Sequence, residues 1–261
     1  MRLPVACSLA LLSLLRAAPA RAQDAFEIQV YDAATAEAGT GGLELHSNVV
    51  ATGQRETGGN GELPTHHVAH FTLEPHFGLT RFCEAGVYIQ TALRPDGLFD
   101  YGGIKLRVKL RVPRRLYRER IGLAINFEYS DLPAAYEANR YGSEIRPVID
   151  LRLGRFYSSV NPIVGIDLAG PLAGRPQLAP AAKVSLDVTH SLALGVEYYA
   201  ALGPIDAPFA ASQQTHRLFA AADFEHTFGS VRFGLNAAAG YGLAAGDRVL
   251  IKLIMGLEFG R

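Results

Sequence analysis

Ile104-Lys105-Leu106-Arg107-Val108-Lys109-Leu110-Arg111-Val112 alternates apolar and cationic residues without a miss. Wound as a helix, at about 100° per residue, the apolar positions scatter round the axis and make no stripe. Extended, they make one apolar face and one face of four positive charges. Nine residues is also about the length of a tilted transmembrane strand. The stretch is a strand, and the open question is which face points at what.

The same period of two recurs along most of the chain. We expect strands at Leu43–Thr52, His66–Phe77, Phe82–Ala92, Ile104–Val112, Ile121–Tyr129 and Ile145–Leu153, then at Phe156–Leu168, Pro180–Val188, Leu192–Ala200, His216–His226, Val231–Tyr241 and Val249–Phe259. Pro162 interrupts the seventh, because proline cannot donate to the ladder. That gives about twelve strands, joined alternately by long polar loops and short turns, with both chain ends on the short-turn side. The pattern is that of an all-β, antiparallel, up-and-down transmembrane β-barrel with long external loops and short periplasmic turns.

Alternation alone does not say which face is inside. A soluble β-sandwich buries its apolar face, and the cationic strand would then be a solvated edge that discourages aggregation. Two observations favour a membrane barrel. About eight strands already leave just enough room for interior side chains, so twelve are too many for apolar residues to fill. The polar face also carries the small residues, among them Gly86, Gly122, Gly195, Gly234 and Gly256.

The N-terminus adds a third. Arg2, an apolar run from Leu3 to Leu15 and Ala20-Arg21-Ala22 form a secretory signal peptide, residues 1–22, with cleavage expected before Gln23. Export leaves Cys83 as the one cysteine of the mature chain, which excludes a disulfide scaffold. Residues 23–42, with the short alternation Phe26, Ile28 and Val30, form a periplasmic lead-in, and residues 43–261 form the barrel. The destination is the bacterial outer membrane of a Gram-negative cell. The expected partners are outer-membrane lipid, a small solute and the barrel-assembly machinery during insertion. A net charge of zero gives no support for nucleic-acid binding.

Phe26-Glu27-Ile28-Gln29-Val30-Tyr31-Asp32, Gly42-Leu43-Glu44-Leu45-His46, His66-His67-Val68, Phe77-Gly78-Leu79-Thr80 and Gly195-Val196-Glu197-Tyr198-Tyr199 with Gly203-Pro204 follow one another along the mature chain. In that order they resemble a family of proteobacterial outer-membrane proteins related to the phenol-degradation-pathway (MetA-pathway) group. The resemblance implies an outer-membrane barrel that passes small molecules. The chain departs from outer-membrane barrels generally in one respect. Phe259 is followed by Gly260-Arg261, where such barrels end on an aromatic residue.

The inward face would carry the cations Lys105, Arg107, Lys109, Arg111, Arg146, Arg152, Lys183, Arg217, Arg232 and Lys252. Among its anions would be Glu74, Glu84, Glu128, Asp150, Asp187 and Glu197. One reading is a charged pore whose cationic stripe, Lys105 to Arg111, favours anionic solutes. The other is charges paired across strands, which hold the barrel's shape and close it. The expected function is a passive channel for small solutes; the alternatives are a closed structural barrel and a barrel-wall enzyme acting on lipid. Ser185 near His190 and Ser230 near His226 have no supporting strand spacing, and G-x-S-x-G, H-E-x-x-H and phosphate-loop motifs are absent. We expect no catalytic residue, cofactor or metal. His66 and His70 share a strand face but would lie about 13 Å apart, too far to share one ion.

Overall fold

A computed structural model describes residues 24–260 apart from 59, 60, 114, 138 and 171. The signal peptide lies outside the described residues. Twelve antiparallel strands build the wall: β1 (Gly41–Thr52), β2 (Ala69–Thr80), β3 (Cys83–Leu93), β4 (Phe99–Arg111), β5 (Ile121–Asp131) and β6 (Tyr141–Leu153). Three strands are each in two pieces: β7 (Phe156–Asn161 and Val164–Asp167), β8 (Pro176–Leu178 and Ala181–Asp187) and β9 (Leu192–Ala201 and Gly203–Pro204). The wall ends with β10 (Thr215–Phe228), β11 (Val231–Gly242) and β12 (Val249–Phe259). Neighbours in sequence pair in order, and β12 returns to β1, with Gly41 opposite Phe259 and Asn48 opposite Lys252. The sheet is closed, which removes the free edge that lipid cannot satisfy.

The cationic strand settles which face is which. Leu106 is 53% exposed and Leu110 37%, whereas Lys105 and Arg107 are 6% and 4% exposed. The apolar face points outward to where lipid lies, and the charges point inward. Short turns close the hairpins at one end. Gly154 and Gly229 take φ of +59° and +60° there, a backbone that two-residue hairpin turns require and that glycine reaches without strain.

The interruption expected at Pro162 is present, and it has company. The registers of β6–β7 and β7–β8 place Pro147 opposite Pro162, and Pro162 opposite Pro180. None of the three can donate to the ladder, so stacking them in one row gathers the missing hydrogen bonds in one place. On β8–β9 the register then slips by one residue, from Ala181 opposite Tyr199 to Leu178 opposite Gly203. Here the expectation needs correcting: β8 starts at Pro176, four residues before Pro180, and crosses the break.

A second correction concerns His66-His67-Val68, which forms a turn before β2 instead of opening the strand. His67 takes φ of +64°, outside strand geometry, and its ring stacks on that of His66 at 3.8 Å.

The largest correction concerns the lead-in. From Asp24 the segment runs inside the barrel, from the long-loop half to the short-turn end, and enters β1 at Gly41. Phe26, Ile28, Tyr31 and Ala33 are all buried. Phe26 packs with Val68, Ala92 and Tyr136 near the long loops. Ile28 joins Val50, Ile163, Tyr199, Phe219 and Leu250, and Tyr31 joins Val148. These residues come from opposite sides of the wall, so only a central position reaches them together. Two small residues make room: a Cβ on Gly102 would lie 2.5 Å from the Phe26 ring, and one on Gly122 would lie 2.8 Å from the Ala33 Cβ.

Candidate functional site

The lumen is the candidate site, and the segment 24–36 is its centre. An extended chain with no neighbouring strand must find other partners for its backbone. Here the wall's side chains supply them. Asn48 donates to the Ala25 carbonyl (3.0 Å) and Thr72 to the Phe26 carbonyl (3.0 Å). Lys252 Nζ donates to the Ile28 carbonyl (2.9 Å). Asn161 accepts from the Tyr31 N–H (2.7 Å) and donates to its carbonyl (3.1 Å), and Ser159 Oγ donates to the same carbonyl (2.6 Å). Lower down, Asp150 accepts from Ala33 N–H (2.8 Å) and Glu84 from Ala36 N–H (2.5 Å).

The segment's side chains meet the charged face. Glu27, fully buried, lies 3.1 Å from Arg146 and 3.4 Å from Lys105, and accepts from the Tyr31 hydroxyl at 2.9 Å. That hydroxyl also hydrogen-bonds Tyr88. Asp24 pairs with Lys105 and Asp32 with Lys109 (3.5 Å). The guanidinium of Arg146 stacks over the Tyr31 ring, 4.4 Å from its centre.

The stripe read from the sequence is therefore matched along most of its length. Besides Asp24 and Glu27, Lys105 faces Glu128 (3.5 Å), and Arg107 bridges Glu74 (2.7 Å) and Glu84 (2.6 Å). Arg111 leaves the row at the short-turn rim, where Nε donates to the Arg81 carbonyl (2.9 Å). The other expected residues also find partners. Arg146 pairs with Glu144 (2.7 Å), Arg152 with Asp187 (3.1 Å), Lys183 with Glu197 (3.2 Å) and Asp223 (2.6 Å), and Lys252 with Glu197 (2.5 Å). Arg217, fully buried, has Asp247 at 3.1 Å, and Asp150 is held by Arg115. Arg232 lines the cavity at the short-turn end.

Two cavities flank the segment. The outer one, about 110 Å³, lies among the upper ends of β5–β9 and touches Asp24, Lys105, Glu128, Glu144, Arg146 and Phe209. The inner one, about 440 Å³, is a vestibule at the short-turn end that runs along Gln29–Ala36 and the lower wall. Nine carboxylates and six cations line the vestibule.

Ion pairs pin the long loops, one within a loop and one between two. Arg140 holds Asp131 (2.7 Å), and Arg175 holds Asp206 (2.8 Å) across two loops, keeping the Asp206 carboxyl below its usual range. Tyr136 donates to Asp100 (2.9 Å) beneath the loops; burial and that carboxylate push its hydroxyl pKa up.

Among the described residues one trio gathers donor atoms closely enough for an ion: Glu44, His46 and Glu74, within 4.8 Å of one another. His46 Nε2 lies 3.1 Å from Glu74 and 3.4 Å from Glu44, while the other oxygen of Glu74 holds Arg107. The arrangement is that of a histidine clamped between carboxylates. It does not involve His66, His67 or His70; His70 packs edge-on against Phe26.

Sequence reasoning placed the wall charges on the inward face and missed the segment that crosses between them. Glu27 and Tyr31 stood only as part of the family resemblance, and Tyr88, Asn161 and Ser159 had no role assigned. The signal present was local: Glu27 and Gln29 alternate with Phe26, Ile28 and Val30, and Tyr31 follows directly.

No family model matches the chain, and no curated protein matches it. Solved structures do. An outer membrane channel from Pseudomonas putida F1 is 11% identical, with a TM-score of 0.57, over 89% of this chain and 100% of that one. The NanC porin is 7% identical, with a TM-score of 0.53, over 85% of this chain and 100% of the porin. At such identities the likeness is one of fold. The chain is a closed twelve-stranded barrel of the outer-membrane kind.

Proposed function

We propose that the protein is a passive outer-membrane channel for small solutes, with its conductance set by the segment 24–36. The observation that carries this reading is the pair of cavities, one at each end of the lumen, separated by a segment that touches the wall through side chains and makes no strand ladder with it. The channel and porin folds support it. Outer-membrane lipid would cover the apolar outer face, and the assembly machinery would insert the chain.

The anion preference suggested by the stripe loses its basis once Lys105, Arg107 and Lys109 are matched. With nine carboxylates to six cations, the vestibule favours cations weakly. The test is conductance of the refolded protein in a planar bilayer under a salt gradient. Small steps with a reversal potential on the cation side are expected. No steps from a folded, inserted barrel would favour the closed structural alternative. Lipid hydrolysis by the same preparation would favour the enzyme, and Ser185 and His190, both on the vestibule lining, would be the first residues to substitute. His226, the histidine near Ser230, packs instead between the rings of Phe224 and Phe228.

A further inference from the structure

The outer cavity has an unbalanced electrostatic wall. Three carboxylates on its lining, Asp24, Glu128 and Glu144, with Glu27 fully buried behind them, crowd round two cations, Lys105 and Arg146. Asp24 and Glu144 keep 18% and 23% of their side chains accessible, so part of the surplus charge faces open space. The adjoining stretch of wall is more apolar, with Ile163, Ala179 and Phe209 beside the breaks in β7, β8 and β9 and Gln177 among them. Gly165 lies on this lining too, and a Cβ added there would meet nothing within 4 Å. The space at Gly165 is therefore real and unfilled by protein. At about 110 Å³ the cavity has room for about four waters at liquid density, or one small organic molecule.

We propose that this cavity is a binding site for a small organic ammonium ion. Its charged head lies against Asp24, Glu128 and Glu144, and its apolar tail runs along Ile163, Ala179 and Phe209. An ammonium head supplies the positive charge that Lys105 and Arg146 leave short, as charge-assisted hydrogen bonds to carboxylates. The tail covers apolar wall that would otherwise face water. A carboxylate ligand would add to the surplus and be repelled. The inference deepens the channel reading, and rests on it for access from the long-loop side: amines would be among the solutes that enter.

The test is calorimetry on the folded protein in detergent, processed to begin at Gln23, with n-hexylammonium chloride as probe. Sodium hexanoate and 1-hexanol serve as controls of equal length. We expect one saturable site for hexylammonium, no binding of hexanoate, and hexanol weaker by about tenfold or more, the loss of a charge-assisted bond. Glu144→Gln should weaken hexylammonium by a similar factor. Gly165→Leu, whose Cβ meets nothing within 4 Å and whose branch reaches into the space, should abolish it while the barrel still runs as folded on a gel. No binding to the folded wild type, equal binding of hexanol, or binding untouched by Gly165→Leu would each overturn the proposal. Binding is read without any current, so a barrel that binds hexylammonium but never conducts would keep the site and defeat the channel.

Discussion

The two halves of the lumen are built from the same kinds of residue and filled differently. In the outer half, Phe26, Glu27, Ile28 and Tyr31 occupy the axis, and wall side chains are spent on them: Asn48, Thr72, Asn161 and Ser159 on backbone groups, Lys105 and Arg146 on Glu27. In the inner half the segment keeps to one side and leaves about 440 Å³ open. Both halves are charged; what differs is whether the charges have a partner from the segment. A twelve-stranded wall is too wide to fill its own interior, so the chain fills half of it with its own start. On the proposed channel reading, the resistance lies in the outer half and the ion preference in the inner one.

The largest effect should come from removing the contrast. Deleting residues 24–36 joins the two cavities, and single-channel conductance should rise several-fold with the barrel still folded. Unchanged conductance would place the constriction in the wall. Next, Arg107→Met takes the guanidinium away from both Glu74 and Glu84, leaving Glu74 with His46 and Glu84 with the Ala36 N–H. Breaking a buried pair from one side costs about 3–5 kcal/mol, so the variant should unfold at clearly lower temperature or denaturant concentration. Ile28→Ala empties a packed site at a cost of about 2–4 kcal/mol. Because Ile28 belongs to the segment, the loss should be read chiefly as more frequent open events in bilayer recordings.

Glu27→Gln should cost less, about 1–2 kcal/mol, because Glu128, Glu144 and Asp24 remain to face Lys105 and Arg146. A larger loss than for Arg107→Met would mean that the outer half has no carboxylate surplus. The smallest effect concerns the loops. Arg175 holds the Asp206 carboxyl below its usual value, so the tie is present above the ordinary aspartate range near 3.9 and is lost as pH falls through the lowered value. Loop mobility, followed by hydrogen exchange of the amides near Asp206, should increase only in strong acid, and Asp206→Asn should abolish that step.

The wall was legible in the sequence because a strand's period is local. Lys105 and Leu106 announce opposite faces with no knowledge of the rest of the chain. Pro162 announced a break for the same reason. Its alignment with Pro147 and Pro180 was not visible, since it depends on register between strands. The segment was misplaced because Phe26, Ile28 and Val30 alternate just as a short strand would. Its partners gave no warning either: Asn161 is an ordinary polar wall residue until Tyr31, 130 positions earlier, lies beside it. His66 was drawn into β2 by the apolar alternation that follows; the left-handed backbone of His67 ends the strand short of it. The paired stripe shows the general difficulty. Four cations in a row describe a strand's face, while the charge a solute meets depends on what the rest of the chain brings to that face.

The central claim is that residues 24–36 lie inside the barrel. It is tested most directly by a cross-link between the segment and the wall. Ala33 and Gly122 are neighbours: a Cβ added at 122 would lie 2.8 Å from the Cβ of Ala33, about 1 Å inside the disulfide range, and 2.5 Å from Asp150, so the segment backs away and the Asp150 side chain turns aside as the bond forms. In a Cys83→Ala background, Ala33→Cys with Gly122→Cys should form a disulfide in the folded, membrane-inserted protein. A folded barrel whose two cysteines stay reduced under oxidising conditions, and remain open to a thiol reagent, would place the segment outside and contradict the account.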